Sequence, residues 1–444
     1  MKTKLIRKFL LCSTLAFLVL TNTAQAQLNK VFENVFRDIL DKQLERSGSP
    51  GEHGTHFLEA ADLANSSLSP ALNSLIASNV SSFPLSSTSA GVTFDFSTGQ
   101  PVSITESMGP IFAETGKTLG KGKFNFGVNY NYLSFAKFRG IDTEDIRFTF
   151  THQDVTPGEG PLGQSRNESD TIDLILDMDV KANIFAVFAT FGLTNNFDIG
   201  IAIPYINLSL SGIAQATVNS FTYARSDTAF HNFGQDVRNP ELQAISPYDE
   251  SVSGLGDVAI KLKYSFVRGA GMDMAALMDV RLPTGEDSDF LGTGKTNIRF
   301  AGIISKKIGD FTPHLNIGYD KRLAELDSDE FEFALGFDQK IVSGLTFAFD
   351  ILGQVDVNSD DAIELFPGIT EIVDQPESGE GQARREIDLS NIPERDNDNV
   401  YDASFGFRYA PSANVILLGN ILVPLNNGGL RSRVAPTVGL TISL

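Results

Sequence analysis

Residues 330–357 alternate apolar and polar side chains at every second position. Phe331, Phe333, Leu335 and Phe337 share one parity, and Glu330, Glu332, Ala334, Gly336 and Asp338 the other. After Val342-Ser343-Gly344 the scheme resumes, with Leu345, Phe347, Phe349, Ile351, Val355 and Val357 set against Thr346, Ala348, Asp350, Gln354 and Asp356. A period of two sustained this long predicts a hairpin with one greasy and one polar face. Similar hairpins recur from residue 123 to the end of the chain, and no long helical pattern is available to cover their greasy faces. A sheet closed on itself satisfies all of them at once, with the oily face toward lipid and the polar face toward a lumen.

The fold class expected is therefore an all-β transmembrane β-barrel. Twelve antiparallel strands are predicted, starting near residues 123, 171, 196, 256, 272, 295, 311, 329, 345, 399, 413 and 432. Short connections at 194–196, 268–271, 308–310, 343–344 and 411–414 alternate with long ones at 139–170, 222–253, 284–294, 321–328, 358–398 and 425–431. Bacterial outer-membrane barrels have this asymmetry and an even strand count. Residues 92–96 and 101–105 are a candidate extra pair, which would raise the count to fourteen.

Ahead of the barrel, residues 1–26 read as a secretory signal. Lys2, Lys4, Arg7 and Lys8 precede an apolar run at 9–20 and the small-residue site Ala24-Gln25-Ala26. That run is too short for a transmembrane helix. Residues 27–90 form a short helical plug or extension. Leu28, Val31, Phe32, Val35, Phe36, Ile39 and Leu40 fall at helical spacing, and 57–64 and 70–80 are two more short helices. Residues 91–121 connect it to the barrel at 122–444.

Composition removes several function classes. Cys12, the only cysteine, lies inside the signal, so the mature chain has no thiol chemistry. Without the four basic residues of the signal, 31 basic residues face 55 acidic ones, a formal charge of −24. Nucleic acid, whose binding is driven by neutralising phosphates, is excluded as a partner. With 34 phenylalanines and no tryptophan, any aromatic girdle at the membrane surface must be Phe and Tyr.

The candidate lumen-lining residues are Asp177, Asp179, Lys181, Lys261, Lys263, Asp279, Arg281, Arg299, His314, Asp350 and Arg408, all on the polar parity of their strands. Buried charges must be paired or hydrated. The set reads either as an ion-pair network that fills the barrel or as the wall of an aqueous conduit. His314 reads as a lumen residue hydrogen-bonded to its neighbours. The other histidines, 53, 56, 152 and 231, are scattered. His53 and His56 are three apart, but Gly51 and Gly54 suggest a loop there. The acidic loop 360–398 and the trio Glu286, Asp287 and Asp289 read as solvated loops, with cation binding as the alternative. No Gly-x-Ser-x-Gly elbow occurs and no serine stands beside a histidine, so no catalytic residue, cofactor or metal is assigned and no enzyme is expected. At the C-terminus Gly439, Ile442 and Leu444 have the general shape of a barrel-assembly signal, with Leu where Phe is usual, so the assembly machinery is an expected partner beside membrane lipid.

Three stretches carry a resemblance. Residues 191–200, Phe-Gly-Leu-Thr-Asn-Asn-Phe-Asp-Ile-Gly, lead into Ala202-Ile203-Pro204-Tyr205. Gly254-Leu255-Gly256-Asp257 runs on to Lys263-Tyr264, and Leu282-Pro283-Thr284-Gly285 is followed by Gly292-Thr293-Gly294. In this order they resemble the outer-membrane barrels of the meta-pathway phenol-degradation family, relatives of the long-chain fatty-acid and aromatic-hydrocarbon transporters, over roughly residues 110–444. Physically they are turn and strand-end devices. The resemblance implies passive uptake of small hydrophobic or aromatic molecules across the outer membrane, with an N-terminal hatch in the lumen. At the hatch this chain has Ser69-Pro70-Ala71 where the fatty-acid transporters carry Asn-Pro-Ala. The alternative is a non-conducting structural or adhesion barrel at the cell surface.

Overall fold

The computed structural model describes residues 27–46, 56–81, 94–95, 100–101 and 107–442, except 155–161, 164–167, 222–226, 235, 270, 324–327, 358–368, 375–382, 394–397 and 413–414. The signal segment, His53 and the C-terminal Leu444 lie outside the described residues.

Twelve strands close the barrel: β1 (Lys123–Phe138), β2 (Thr171–Gly192), β3 (Phe197–Asn219), β4 (Val258–Val267), β5 (Met272–Leu282), β6 (Asn297–Lys306), β7 (Phe311–Lys321), β8 (Glu330–Val342), β9 (Leu345–Asp356), β10 (Val400–Ser412), β11 (Val415–Pro424) and β12 (Ala435–Ile442). Each pairs antiparallel with the next, and β12 closes on β1 with Thr437 opposite Asn131 and Ile442 opposite Phe126. The segments Phe94–Asp95 and Gln100–Pro101 pair only two residues deep, the first of them with Lys123–Phe124. They fringe β1 and insert no further staves between β12 and β1, so the count is twelve. The two ends of the barrel are called here the turn end, where β2–β3, β4–β5, β6–β7 and β8–β9 connect tightly, and the loop end.

The outer face carries an apolar belt. Phe300, Ile304, Leu335, Phe405, Phe407 and Ile421 are exposed on it. Tyr130, Phe185 and Tyr205 lie side by side across β1, β2 and β3. Such a Phe and Tyr ring marks where a membrane belt meets the headgroup layer.

Above that ring the polarity of the wall inverts. On β2, Phe185 and Val187 point out and Ala186 and Phe188 point in. Four to eight residues before Phe185 the same outward parity holds Asp177, Asp179 and Lys181, while Leu174, Leu176, Met178 and Val180 point inward and are fully buried. β3 repeats this, with Ile201 and Ile203 outward in the belt and Leu208 and Leu210 inward above it. Two further pieces extend the rise. Ile146–Thr151 pairs with the top of β2, and Gln243–Leu255 pairs with the top of β3 as a continuation of β4. Most of the second, through residue 253, lies in the stretch 222–253, which the sequence suggests is loop. Its outer side chains face water, so no greasy period marks it as strand.

The inverted wall encloses the helical segment. Leu28–Lys30, helix α1 (Val31–Arg37) and the π-turn Asp38–Gln43 form one rod. Helix α2 (Leu58–Leu63), the π-turn Ala64–Leu68 and helix α3 (Ser69–Ser81) form a second, continuous one. The π-turn lies just before Pro70, which has no N–H to offer the preceding turn, and a wider turn accommodates that break. Leu28, Phe32, Phe36, Ile39, Leu40, Leu68, Leu72 and Ile76 are fully buried and form one core with the inward side chains of β2 and β3. Phe36 meets Phe150 edge-on and Phe32 meets Tyr248. The two rods are a cap seated inside the loop end of the barrel.

Candidate functional site

The lumen is bounded by two closures and a wall. The upper closure is the cap. Arg281 donates to the carbonyl of Ser81 at 2.7 Å, and Arg322 reaches the Ser78 hydroxyl at 3.2 Å, so two cations hold the C-terminal turn of α3. Near the other rod the Leu28 N–H donates to Asp289 in the β5–β6 loop. Burial pushes the Asp289 carboxyl above its ordinary range.

The lower closure is the strap at residues 107–121, which crosses the turn end of the lumen. Wall side chains anchor it one after another. Met108 N–H donates to Thr346 on β9, Gly116 N–H to Ser305 on β6, and Leu119 N–H to Asp198 on β3. Arg408 on β10 donates to the carbonyl of Pro110. Asn316 on β7 grips Glu114 twice, accepting from its N–H at 2.6 Å and donating to its carbonyl at 2.9 Å. The Glu114 carboxylate pairs with Lys263 at 3.0 Å, both side chains being buried. At its far end the strap passes so close to β2 that a Cβ on Gly192 would stand 1.9 Å from the carbonyl oxygen of Gly120.

Between the closures lies a chamber of about 130 Å³ with a divided lining. Lys261, Asp279, Arg281, Arg299 and Glu332 form one part, and Phe112, Leu133, Phe135, Leu352, Leu422 and Leu430 the other. The charges are paired: Arg299 with Glu332 at 2.6 Å, Lys261 with Asp279 at 3.9 Å, and Arg431 with Asp402, a buried pair that also lines the chamber, beside Leu352 and Leu430 on the more apolar side.

Of the predicted lumen residues, Lys261, Asp279, Arg281 and Arg299 line this chamber. Lys263 and Arg408 hold the strap. His314 sits between Asp350 at 2.6 Å and Asp338 at 3.6 Å. Asp177, Asp179 and Lys181 must be corrected. They stand on the outer face of β2 above the belt, Asp179 and Lys181 are 41% and 42% exposed, and the two pair with each other. Their polar parity marks an outside wetted by solvent, since the inside at that height is filled by the cap. Asn316 and Asp402 stand on the polar parity of their strands, as periodicity predicts, whereas Glu114 is a site residue that periodicity does not pick out. Glu114 lies in an irregular segment, and its role exists only through contacts more than a hundred residues away.

The Gly-Asp and Pro-Thr-Gly stretches noted in the sequence meet at one knot. Asp257 is buried, and its carboxylate accepts from the N–H groups of Gly285 and Thr293 at 3.0 Å each. The Thr284 hydroxyl donates to the carbonyl of Gly256 and accepts from Val258 N–H. A Cβ on Gly292 would lie 2.4 Å from Asp257 Oδ1. The knot folds the β5–β6 loop against the start of β4 and touches no part of the chamber lining. Asp257→Ala leaves two part-buried N–H groups without their acceptor, each worth about 1–2 kcal/mol. A loss of roughly 3 kcal/mol is expected in urea unfolding from lipid vesicles, where Asp257→Asn should lose less.

A closed twelve-stave sheet with an apolar belt defines a transmembrane β-barrel. The chain belongs to the family described as "Putative MetA-pathway of phenol degradation", whose profile matches residues 147–426, more than half of its length. None of the curated proteins matches it. Among solved structures it is similar to an outer membrane channel from Pseudomonas putida F1, at 10% identity over 73% of this chain and 97% of that one, with a TM-score of 0.39. It is also similar to the CymD monoaromatic hydrocarbon channel, at 9% identity over 73% and 89% with a TM-score of 0.34. A FadL homologue of Pseudomonas aeruginosa aligns at 9% identity over 72% and 88%, with a TM-score of 0.29. These likenesses are too distant to carry a ligand or a mechanism to this chain.

Proposed function

We propose that the protein is an outer-membrane channel for passive uptake of small aromatic or hydrophobic solutes that bear a polar group. The loop end faces the exterior and the strap faces the periplasm. The observation that carries this reading is the divided chamber. A purely polar lumen would suit sugars or ions, and a filled one would suit none. An apolar cavity of ~150 Å³ admits a benzene-sized molecule, and this chamber is of that order. The ring of a phenol-like solute would lie against Phe112, Phe135 and Leu422, and its hydroxyl would find the Arg299–Glu332 side. Passage requires the cap and the strap to yield in turn.

The cap and strap together also suit a sealed structural barrel, and one measurement separates the two. Vesicles holding the purified protein should take up a labelled monohydric phenol faster than protein-free vesicles do, and should exclude a disaccharide. Uptake no faster than in protein-free vesicles would leave the sealed barrel standing.

A further inference from the structure

Three of the five histidines, far apart in sequence, meet in one buried cluster at the loop end. His56 precedes helix α2 in the cap, His152 follows the wall piece Ile146–Thr151, and His231 lies in the two-residue strand His231–Asn232 of the β3–β4 connection. One ring nitrogen of each lies within 4.8 Å of the other two. All three are buried. The ring centroids are 5.0–5.3 Å apart, and Phe57 closes the cluster edge-on against His152 and His231.

The hydrogen bonds fix which nitrogens face inward. His231 Nδ1 is 2.8 Å from Asp170 Oδ2, and a carboxylate only accepts, so Nδ1 carries the proton and Nε2 a lone pair. Asp170 is itself held by the Phe221 N–H at 2.7 Å. His152 Nδ1 is 2.7 Å from the carbonyl of Gln153, which sets the same tautomer and leaves Nε2 as the ligating atom. His231 Nε2 then meets His56 Nδ1 at 2.8 Å. An imidazole whose far N–H is bonded to a carboxylate or a backbone carbonyl is the usual arrangement of a metal-ligating histidine. His56 is brought there at a conformational cost. Its φ is +57°, in the left-handed region, and its carbonyl accepts from the Gln153 N–H.

We propose that His56, His152 and His231 bind one divalent transition-metal ion of the zinc class, and that this ion clasps the N-terminal cap to the rising wall. Binding replaces the His56–His231 hydrogen bond by the ion: the proton on His56 Nδ1 moves to Nε2, so His56 stays neutral and offers its Nδ1 lone pair with no net loss of a proton. Zinc–imidazole bonds of ~2.05 Å place tetrahedral nitrogens roughly 3.3 Å apart, so the close pair must open by about half an ångström. Three neutral imidazoles without a thiolate or a direct carboxylate suit zinc, copper or nickel and not calcium or magnesium. Asp170 is a positioning residue that orients His231. The proposal is independent of what passes through the lumen.

The test uses the full-length folded protein in detergent, stripped with a chelator and titrated with Zn²⁺ alone. Expected is one ion per chain with a Kd below about 50 nM, inside the range of structural zinc sites. X-ray absorption of the wild-type sample should show nitrogen neighbours near 2.05 Å. His152→Ala and His231→Ala should each weaken binding by at least ~100-fold, and Asp170→Asn by ~10–100-fold. Heat-modifiable gel mobility verifies that each variant has a closed barrel. Zn²⁺ should also slow hydrogen exchange in residues 57–81 of the wild type. Sub-stoichiometric binding by the folded wild type, or binding that survives both alanine variants, overturns the site and leaves a proton-sharing histidine chain. Stoichiometric binding with no change in exchange of residues 57–81 overturns the clasp.

Discussion

Vesicles carrying a chain that lacks residues 28–81 should pass a small phenol about tenfold faster or more, since each ~1.4 kcal/mol removed from a barrier is a factor of ten. The cap closes the loop end above the chamber, and α3 lines it through Asn79. The same deletion should damage the structure it leaves behind. Leu174, Leu176, Met178, Val180, Leu208 and Leu210 point inward against the rods. Without the rods they line a water-filled well. Burying one such side chain is worth ~1.5–3 kcal/mol, so the exposed set loses on the order of 10 kcal/mol. That exceeds the stability of a free-standing wall, and residues 171–183, 206–219 and 243–255 should lose hydrogen-exchange protection. The belt below the ring of Tyr130, Phe185 and Tyr205 is held by lipid and by its own ladders, and should keep its heat-modifiable mobility. Faster flux with an intact rising wall would mean that the wall does not depend on the rods. Unchanged flux would remove the cap as a gate.

The two outcomes follow from the same inversion of polarity that the sequence conceals. Period-two alternation places all twelve staves, with starts within a few residues of those observed, because the apolar belt forces one greasy parity on every strand. It says nothing about which parity faces inward. In β2 the pattern Ile172, Leu174, Leu176, Met178 is as regular as Phe185, Val187 and Phe191 below it, yet the two sets lie on opposite faces of the sheet. The parity shift comes between Ile184 and Phe185, where apolar side chains follow one another. Read as a single apolar run, that junction looks like noise. Read with the height of the belt in mind, it marks the membrane surface. The sites escape the sequence for a different reason. His56 and His231 are 175 residues apart, and Glu114 and Asn316 are 202 apart. Each pair is joined only by barrel closure, so no local spacing announces it. Asp257 is the exception: its two partners lie on the next loop, within 36 residues, and the glycines that let them approach stand out in the chain.

Glu114→Ala is expected to cost about 3–5 kcal/mol in urea unfolding from vesicles, the range for breaking one side of a buried ion pair. The argument turns on what surrounds Lys263. Its ammonium is 3.0 Å from the Glu114 carboxylate, and only 5% and 7% of the two side chains is exposed. Alanine removes the carboxylate and leaves the cation where water scarcely reaches. Much of the cost is therefore desolvation of Lys263 and not a lost attraction. The paired change Glu114→Leu with Lys263→Met removes both charges at similar volume, and should return to within about 1 kcal/mol of the parent. Because Asn316 grips the backbone of residue 114 and not its carboxylate, the paired variant should keep its strap and its resting flux. Asn316→Ala reverses the pattern: the charges stay matched, the backbone clamp is lost, and flux should rise with a smaller loss of stability, about 1–3 kcal/mol. If Glu114→Ala proved as stable as the parent, water would have to reach Lys263 from the turn end. The strap would then be a loose thread across an open pore, and the chamber above it would drain directly into the periplasm.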